Sequence, residues 1–244
     1  MRMLRSALFN ACFYVWTVGL AILHAPFMYL VPRSFLVRTL AFWSRSVVSI
    51  MRATCGIGVE VRGAERLVPG PAIVVSKHQS AFDTLVWHGL LPDPAIVLKK
   101  ELTWIPIYGQ LAKRLQMIPV DRGAGGAAVK AMLRGAESAA KQNRHIVIFP
   151  QGTRTAPGTT VAQVPYHPGA AALYSRLKLP VVPVALNTGL FWPRRTFLRF
   201  PGTMLIEYLE PIPPGLPRAE FQKLLEERIE GATQRLEAEA KATR

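Results

Sequence analysis

The 244-residue sequence predicts an α/β fold, a central mostly parallel or mixed sheet flanked by helices, with an apolar two-helix membrane motif ahead of it. Three observations predict this. From about residue 55 onward, short runs rich in Val and Ile alternate with helix-like segments, the order that builds a sheet with covering helices. Residues 1–59 contain six arginines (Arg2, Arg5, Arg33, Arg38, Arg45 and Arg52), no acidic residue and long apolar stretches. Half of the chain is hydrophobic, and its formal net charge is +15. Basic charge beside apolar sequence points to a membrane surface before it points to nucleic acid. The length suits one sizeable domain with an appendage, here residues 1–54 as membrane-associated helices and residues 55–244 as the α/β domain.

Taken in order, residues 8–31 are almost wholly apolar, broken only by Asn10, Thr17 and His24. A helix of that length rises about 1.5 Å per residue and could span a bilayer. Pro26 and Pro32 predict a break near its end. In the next segment Arg38, Arg45 and Arg52 recur every seven residues and share one face, while Leu36, Leu40, Trp43, Val47, Ile50 and Met51 take much of the rest. That is the pattern of an interfacial helix. Arginines flank the first segment on both sides, so charge gives a single span no orientation. A hairpin that enters one leaflet and returns, with both ends cytoplasmic, is favoured over a simple transmembrane anchor. No A-x-A-like site follows the apolar run, against a cleaved signal peptide.

Strands are predicted at 59–62, 71–76, 95–98, 117–120, 145–150, 180–186 and 203–208. Helices are predicted at 80–91, at 102–115 with a break at Pro106 and Gly109, at 127–142, at 169–176 and at 221–242. Pro183 inside its run predicts an edge strand or a bulge. Residues 210–217 (EPIPPGLP) read as a stiff connection. Cys12 and Cys55 give neither a disulfide framework nor a metal spacing, and the five histidines show no ligand spacing, so no metal is expected.

Four short segments carry chemistry-bearing residues. The first is Lys77-His78-Gln79-Ser80-Ala81-Phe82-Asp83, where a strand gives way to a helix, the position at which α/β proteins place ligands. Positions i and i+5 do not share a helix face. His78 and Asp83 meet only if His78 sits in the turn and Asp83 in the first helical turn behind it. Asp83 would then fix the imidazole tautomer while the other ring nitrogen takes a proton. Taken alone, the pair also reads as a loop histidine beside an acid that complements the helix dipole. The second segment ends Asp121-Arg122, the third is Gln151-Gly152-Thr153-Arg154, and the fourth is the Pro-rich strand at 180–184. Glycine allows close backbone approach, and a threonine hydroxyl with an arginine fork suits phosphate oxygens. Singly, each arginine also reads as a surface charge or an ion pair. Lys77 adds positive potential near the site or is a solvated charge.

In this order the four segments resemble the glycerophospholipid acyltransferase family of the 1-acylglycerol-3-phosphate acyltransferase type. The resemblance covers about residues 55–210 and includes Lys99-Lys100-Glu101-Leu102, with Trp104, Pro106 and Gly109 following. Each block is weak alone; the ordered set is specific. Two positions depart from the family pattern: Gln151 stands where Glu is usual, and Lys77 where Asn is common. The resemblance implies transfer of a fatty acyl group from acyl-CoA or acyl carrier protein to the free hydroxyl of lysophosphatidic acid, giving phosphatidic acid. It implies His78 and Asp83 as the catalytic pair and Lys99, Arg122, Gly152, Thr153 and Arg154 as substrate-binding residues. No cofactor beyond the donor is implied, and no Gly-x-Ser-x-Gly elbow suggests an acyl-enzyme. The expected partners are membrane phospholipid, lysophospholipid and the acyl donor, with no nucleic acid. The expected location is the inner membrane, with the site on its cytoplasmic side. Alternative readings are another acceptor (a lyso-ornithine lipid, another lysophospholipid or glycerol 3-phosphate) and a basic non-catalytic membrane or nucleic-acid-binding protein.

Overall fold

The structure, a computed structural model, describes residues 1–242. Helix α1 (Arg2–His24) and helix α2 (Arg33–Cys55) are joined by a 3-10 turn at Ala25–Phe27. The break falls where Pro26 and Pro32 predict it. Pro26 opens the turn and Pro32 caps α2, two places where a missing N–H is tolerated. The helices pack as an antiparallel hairpin. Trp16 Nε1 donates to Ser46 Oγ at 2.6 Å, Trp43 Nε1 donates to Thr17 Oγ1 at 3.0 Å, and Cys55 Sγ reaches the Arg5 carbonyl at 3.5 Å. Partner numbers fall on one helix as they rise on the other. Gly56, in the left-handed conformation at φ 67°, ends α2. Arg38, Arg45 and Arg52 are all exposed. So are Leu4, Leu8, Val15, Val18 and Ile22 of α1, each by more than half. By length and composition α1 could cross a membrane.

Seven strands follow: β1 (Ile57–Arg62), β2 (Ile73–Ser76), β3 (Ala95–Lys99), β4 (Ile118–Val120), β5 (Ile146–Ile148), β6 (Val181–Leu186) and β7 (Gly202–Tyr208). They form one sheet in the order β1-β7-β6-β2-β5-β3-β4. Every pairing is parallel except β6 with β7, so the sheet is mixed. Strands β2, β5 and β6 are buried throughout, as a strand covered on both faces must be.

The remaining helices are α3 (Phe82–Leu85), α4 (Trp87–Leu90), α5 (Tyr108–Arg114), α6 (Gly125–Lys141), α7 (Gly169–Leu177) and α8 (Arg218–Ala242). Strand alternation sorts the core into two layers. Val74 of β2 packs with Phe9, Val47, Met51, Phe82 and Trp87, from the hairpin, α3 and α4. Ile73 and Val75 face Met132, Ala136, Leu173 and Phe221, from α6, α7 and α8. The N-terminal hairpin thus shares the main core of the α/β domain. It is held by burial of apolar surface worth about 25 cal/mol per Å².

Two predicted helices are broken up, and two other expectations are made specific. The helix expected at 80–91 is two four-residue segments, because Asp83, Thr84 and Gly89 N–H groups bond three residues back, to Ser80, Ala81 and Val86, and tighten the turns. The helix expected at 102–115 is a 3-10 turn at Lys100–Trp104 followed by α5, and Ile107 between them takes φ 64°. Of the two readings of Pro183, an edge strand or a bulge, the structure shows the bulge, in an interior strand. Three steps on β6 from Val184 to Val181 face four on its partner from Tyr208 to Ile212, a bulge opposite the residue that has no N–H to give. Residues 210–217, read as a stiff connection, are docked on the domain: Ile212 pairs with Val181, and Tyr174 Oη donates to the Pro213 carbonyl at 2.7 Å.

Candidate active site

Strand β2 ends at Ser76, and the chain turns through His78, Gln79 and Ser80 into α3. Asp83, in the first turn of α3, is fully buried and reaches back across that turn. Its Oδ2 accepts from Gln79 N at 2.6 Å, from Ser80 N at 2.8 Å and from His78 Nδ1 at 3.0 Å. Its Oδ1 accepts from Thr188 Oγ1 at 2.6 Å. A carboxylate only accepts, so the proton of the His78–Asp83 bond sits on Nδ1 and Nε2 is left as the free base. The two residues meet by the one route open to them, a histidine in the turn and an acid in the helix behind it.

His78 is 11% exposed at its side chain. Its ring stacks on Phe149, just after β5, with centroids 4.3 Å apart and planes at 26°. Thr155 N donates to the His78 carbonyl at 2.8 Å. Loops after β2, β5 and β6 therefore fix one imidazole.

The residues flanking His78 point the other way, as alternation in an extended chain requires. Lys77 is neither solvated nor at the site: it is 1% exposed, and its Nζ donates to both carboxylate oxygens of Glu230 on α8, at 2.7 and 2.8 Å. Tyr166 Oη donates to the same carboxylate at 2.8 Å. Burial, then Glu230, push the Tyr166 hydroxyl well above the usual range. Gln79 Nε2 donates to Glu237 Oε1 at 2.6 Å, and Gln79 Oε1 accepts from Gly189 N at 3.1 Å. Helix α8 thus braces both neighbours of His78.

Gly152 turns the chain after β5 at φ 63°. A Cβ there would meet His167 Cδ2 at 3.0 Å and Arg122 Cζ at 3.6 Å, so only glycine fits without displacement. Gln151 is buried; its Nε2 donates to the Val164 carbonyl at 3.0 Å, a bond that an ionised Glu could not make. Arg122 is exposed beside Gly152, Thr153 lies in the turn, and Lys99 is half-exposed and paired with Glu101 at 3.0 Å. Asp121 pairs with Lys100 at 3.1 Å, which holds its carboxyl below the usual range.

His78, Lys99, Arg122, Gly152 and His167 line one cavity of about 720 Å³. The rest of its wall is mostly apolar, from α1, α2, β3, α5 and α6, and includes Leu40, Trp43, Leu111, Met117 and Met132. Arg154 does not line it. Its backbone carbonyl accepts from Arg194 Nη1 at 2.9 Å. Arg154 therefore stands outside the wall of the cavity that Lys99 and Arg122 line. Sequence reasoning missed Thr188, Glu230, Glu237 and Tyr166. The chain gives no signal for them, because Thr188, Glu230 and Glu237 reach the turn from 105 to 158 residues away and Tyr166 acts through Glu230. Among the described residues, no group of three or more His, Cys, Asp or Glu side chains could hold a metal ion.

His88 lines the same cavity. Burial pushes its imidazole down from 6.5 to about 4, with Asp93 opposing. The folded state then binds fewer protons than the unfolded state between those values, so stability falls as pH drops from 6.5 toward 4. The loss is expected to reach roughly 3 kcal/mol. Thermal melts of wild type and His88→Gln in detergent across that window check this: the variant's pH slope should be shallower.

A protein-family model described as Acyltransferase matches residues 58–187, more than half of the chain. The 1-acyl-sn-glycerol-3-phosphate acyltransferase of Pseudomonas aeruginosa is 33% identical over 164 residues, covering 67% of this chain and 63% of that protein. The enzyme of the same name from Limnanthes alba is 33% identical over 159 residues, covering 64% of this chain and 55% of that protein. The chain thus spans less than two thirds of the length of these curated relatives. The crystal structure of the 1-acyl-sn-glycerophosphate (LPA) acyltransferase PlsC from Thermotoga maritima superposes with a TM-score of 0.74 at 22% identity, covering 97% of this chain and 96% of that one, which shows a shared fold. With its four ordered segments inside or beside the matched region, the chain belongs to the acyltransferase family.

Proposed function

We propose that this protein transfers a fatty acyl group from an acyl thioester, acyl-CoA or acyl carrier protein, to the free hydroxyl of lysophosphatidic acid, giving phosphatidic acid. One observation carries the reading: an imidazole with Nδ1 fixed by a buried carboxylate and Nε2 free, beside a largely apolar cavity with cationic side chains at hand. The names of the relatives reported above support the choice of acceptor.

His78 Nε2 takes the acceptor's hydroxyl proton as the oxygen attacks the thioester carbonyl. Asp83 stabilises the imidazolium that forms. The C–S bond then breaks, and the imidazolium returns its proton to the departing sulfur. A thiol leaves with little help, since its ordinary pKa near 8.5 lies far below that of an alcohol. The acyl tail lies in the cavity, and the acceptor's phosphate lies at the Gly152 turn between Arg122 and Arg154, with Lys99 near. Holding phosphate and hydroxyl together is a positioning effect. The α1–α2 hairpin sits in the cytoplasmic leaflet of the inner membrane, with the Arg38, Arg45 and Arg52 stripe toward anionic head groups.

Arg154→Ala should raise the KM for lysophosphatidic acid by about tenfold or more, the loss expected for a charge-assisted phosphate contact. A panel with glycerol 3-phosphate and lyso-ornithine lipid, assayed on wild type and variant, tests the acceptor. An unchanged KM removes Arg154 from the phosphate site, and turnover of another acceptor alone overturns the reading.

A further inference from the structure

We propose that Arg194 and Arg195 form a second phosphate station, which holds the phosphorylated pantetheine handle of the acyl donor on the side of His78 opposite Lys99 and Arg122. This rests on the acyl-transfer reading above.

Sheet order creates two flanks. Reading β7-β6-β2-β5-β3-β4, the loop after β6 lies on one side of His78, while Lys99 at the end of β3 and Arg122 after β4 lie on the other. The 188–201 segment after β6 is firmly placed. Trp192 is buried edge-on against Phe9 at 5.0 Å, and the Arg199 guanidinium lies 4.6 Å from the Trp192 ring. Arg199 Nη1 also donates to the carbonyls of Thr196, Phe197 and Leu198, and its backbone N–H donates to Ser6 Oγ at 2.9 Å. That scaffold presents Arg194 and Arg195 exposed, with Arg194 bonded to the Arg154 carbonyl. Arg195 takes φ 57°, a left-handed conformation that costs a non-glycine residue and persists where the surroundings impose it.

The charge around these residues is not balanced. Among the described residues, Arg154, Arg194 and Arg195 make no ion pair. Burial, then Arg194 and more weakly Arg195, hold Arg154 below its usual range, with Asp83 opposing. Asp83 already serves four donors. With Arg154 given to the acceptor's phosphate, Arg194 and Arg195 are left as a cationic pair without an acid of its own, which suits a second anion from outside the chain.

Thioester geometry says which anion. The acyl tail and the sulfur leave the carbonyl carbon in different directions. The cavity for the tail is lined by the α1 segment from Thr17 to His24, whereas the arginine-bearing loop packs on Ser6, Phe9 and Asn10. Those two parts of α1 are about 10–27 Å apart at 1.5 Å per residue. A tail in the cavity therefore sends the sulfur handle toward Arg194 and Arg195. The shared chemistry of the handle in CoA and in acyl carrier protein is a phosphate on pantetheine.

The experiment compares kcat/KM for acyl-CoA, for acyl carrier protein carrying the same chain, and for the phosphate-free N-acetylcysteamine thioester. Wild type, Arg195→Ala and the double variant Arg194→Ala/Arg195→Ala are assayed in zwitterionic vesicles at fixed lysophosphatidic acid. Arg195→Ala keeps the Arg194 bond to the loop. The ratio of phosphorylated to phosphate-free donor should fall about tenfold in the double variant and about threefold in the single one. A fall with either phosphorylated donor supports the station and identifies its source. Equal losses with all three donors, an unchanged ratio, or a loss that depends only on added anionic lipid overturns it. A wild type that transfers from none of the donors sinks the acyl-transfer reading, and this inference with it.

Discussion

His78→Ala is expected to lower kcat by about 10²- to 10⁴-fold, the range for removing a positioned general base, while leaving binding to vesicles intact. The separation follows from geometry. The imidazole faces the cavity and contacts the domain through one stack on Phe149 and one bond to Asp83, whereas the exposed apolar face of the α1–α2 hairpin is untouched. Asp83→Asn should do more damage. Its carboxylate accepts from the imidazole, two backbone N–H groups and Thr188. An amide has one oxygen and brings two N–H donors of its own, so at least one of those donors loses its acceptor, at about 1–3 kcal/mol for each orphaned group. Both turnover and melting temperature should fall for Asp83→Asn, and only turnover for His78→Ala. Labelled acyl transfer with vesicle flotation measures the first variant. Full turnover without the imidazole would end the general-base reading.

Breaking the Lys77–Glu230 pair is expected to have the largest effect on stability. Lys77→Met leaves Glu230 charged in a site where its partner is 1% exposed. Removing one member of a buried pair costs about 3–5 kcal/mol, because the other charge keeps its desolvation penalty and loses its compensation. For a domain of this size that is a fall in Tm on the order of 10 °C. Replacing both, as Lys77→Met with Glu230→Leu, should recover much of the loss, since an apolar pair carries no charge to desolvate. Tyr166 would still lose its acceptor, and adding Tyr166→Phe should recover part of the remainder. Thermal melts of the single, double and triple variants test this. A double variant no more stable than Lys77→Met would show that the pair is not what the site depends on.

Much of the site was legible because it depends on local chain geometry. A β-branched run ending at Ser76, a polar turn and an acid five residues after a histidine allow one arrangement that joins His78 to Asp83. Gly152 was legible for the same reason: a glycine after a buried strand marks a turn that a side chain would obstruct. Lys77 was misread because a charge next to a candidate base reads as part of the site. Its direction is set by alternation, and its partner lies 153 residues away. Which strand ends adjoin one another was hidden too. Chain order gives the strands as 2, 3, 4, 5, whereas the sheet places β5 between β2 and β3.

By itself, the sequence determined the α/β class, the proline-broken apolar hairpin with its arginine stripe, the strand ends that bear the polar residues, and the turn that joins His78 to Asp83. Periodicity, proline and glycine act within a few residues, and those forces are written into neighbouring positions. Tertiary structure alone decided the sheet order, the bracing of Lys77 and Gln79 by α8, and the placing of Arg194 and Arg195 beside Arg154. Each of these depends on which distant surfaces bury one another, a choice made by the packing of the whole core and not by any local stretch of chain.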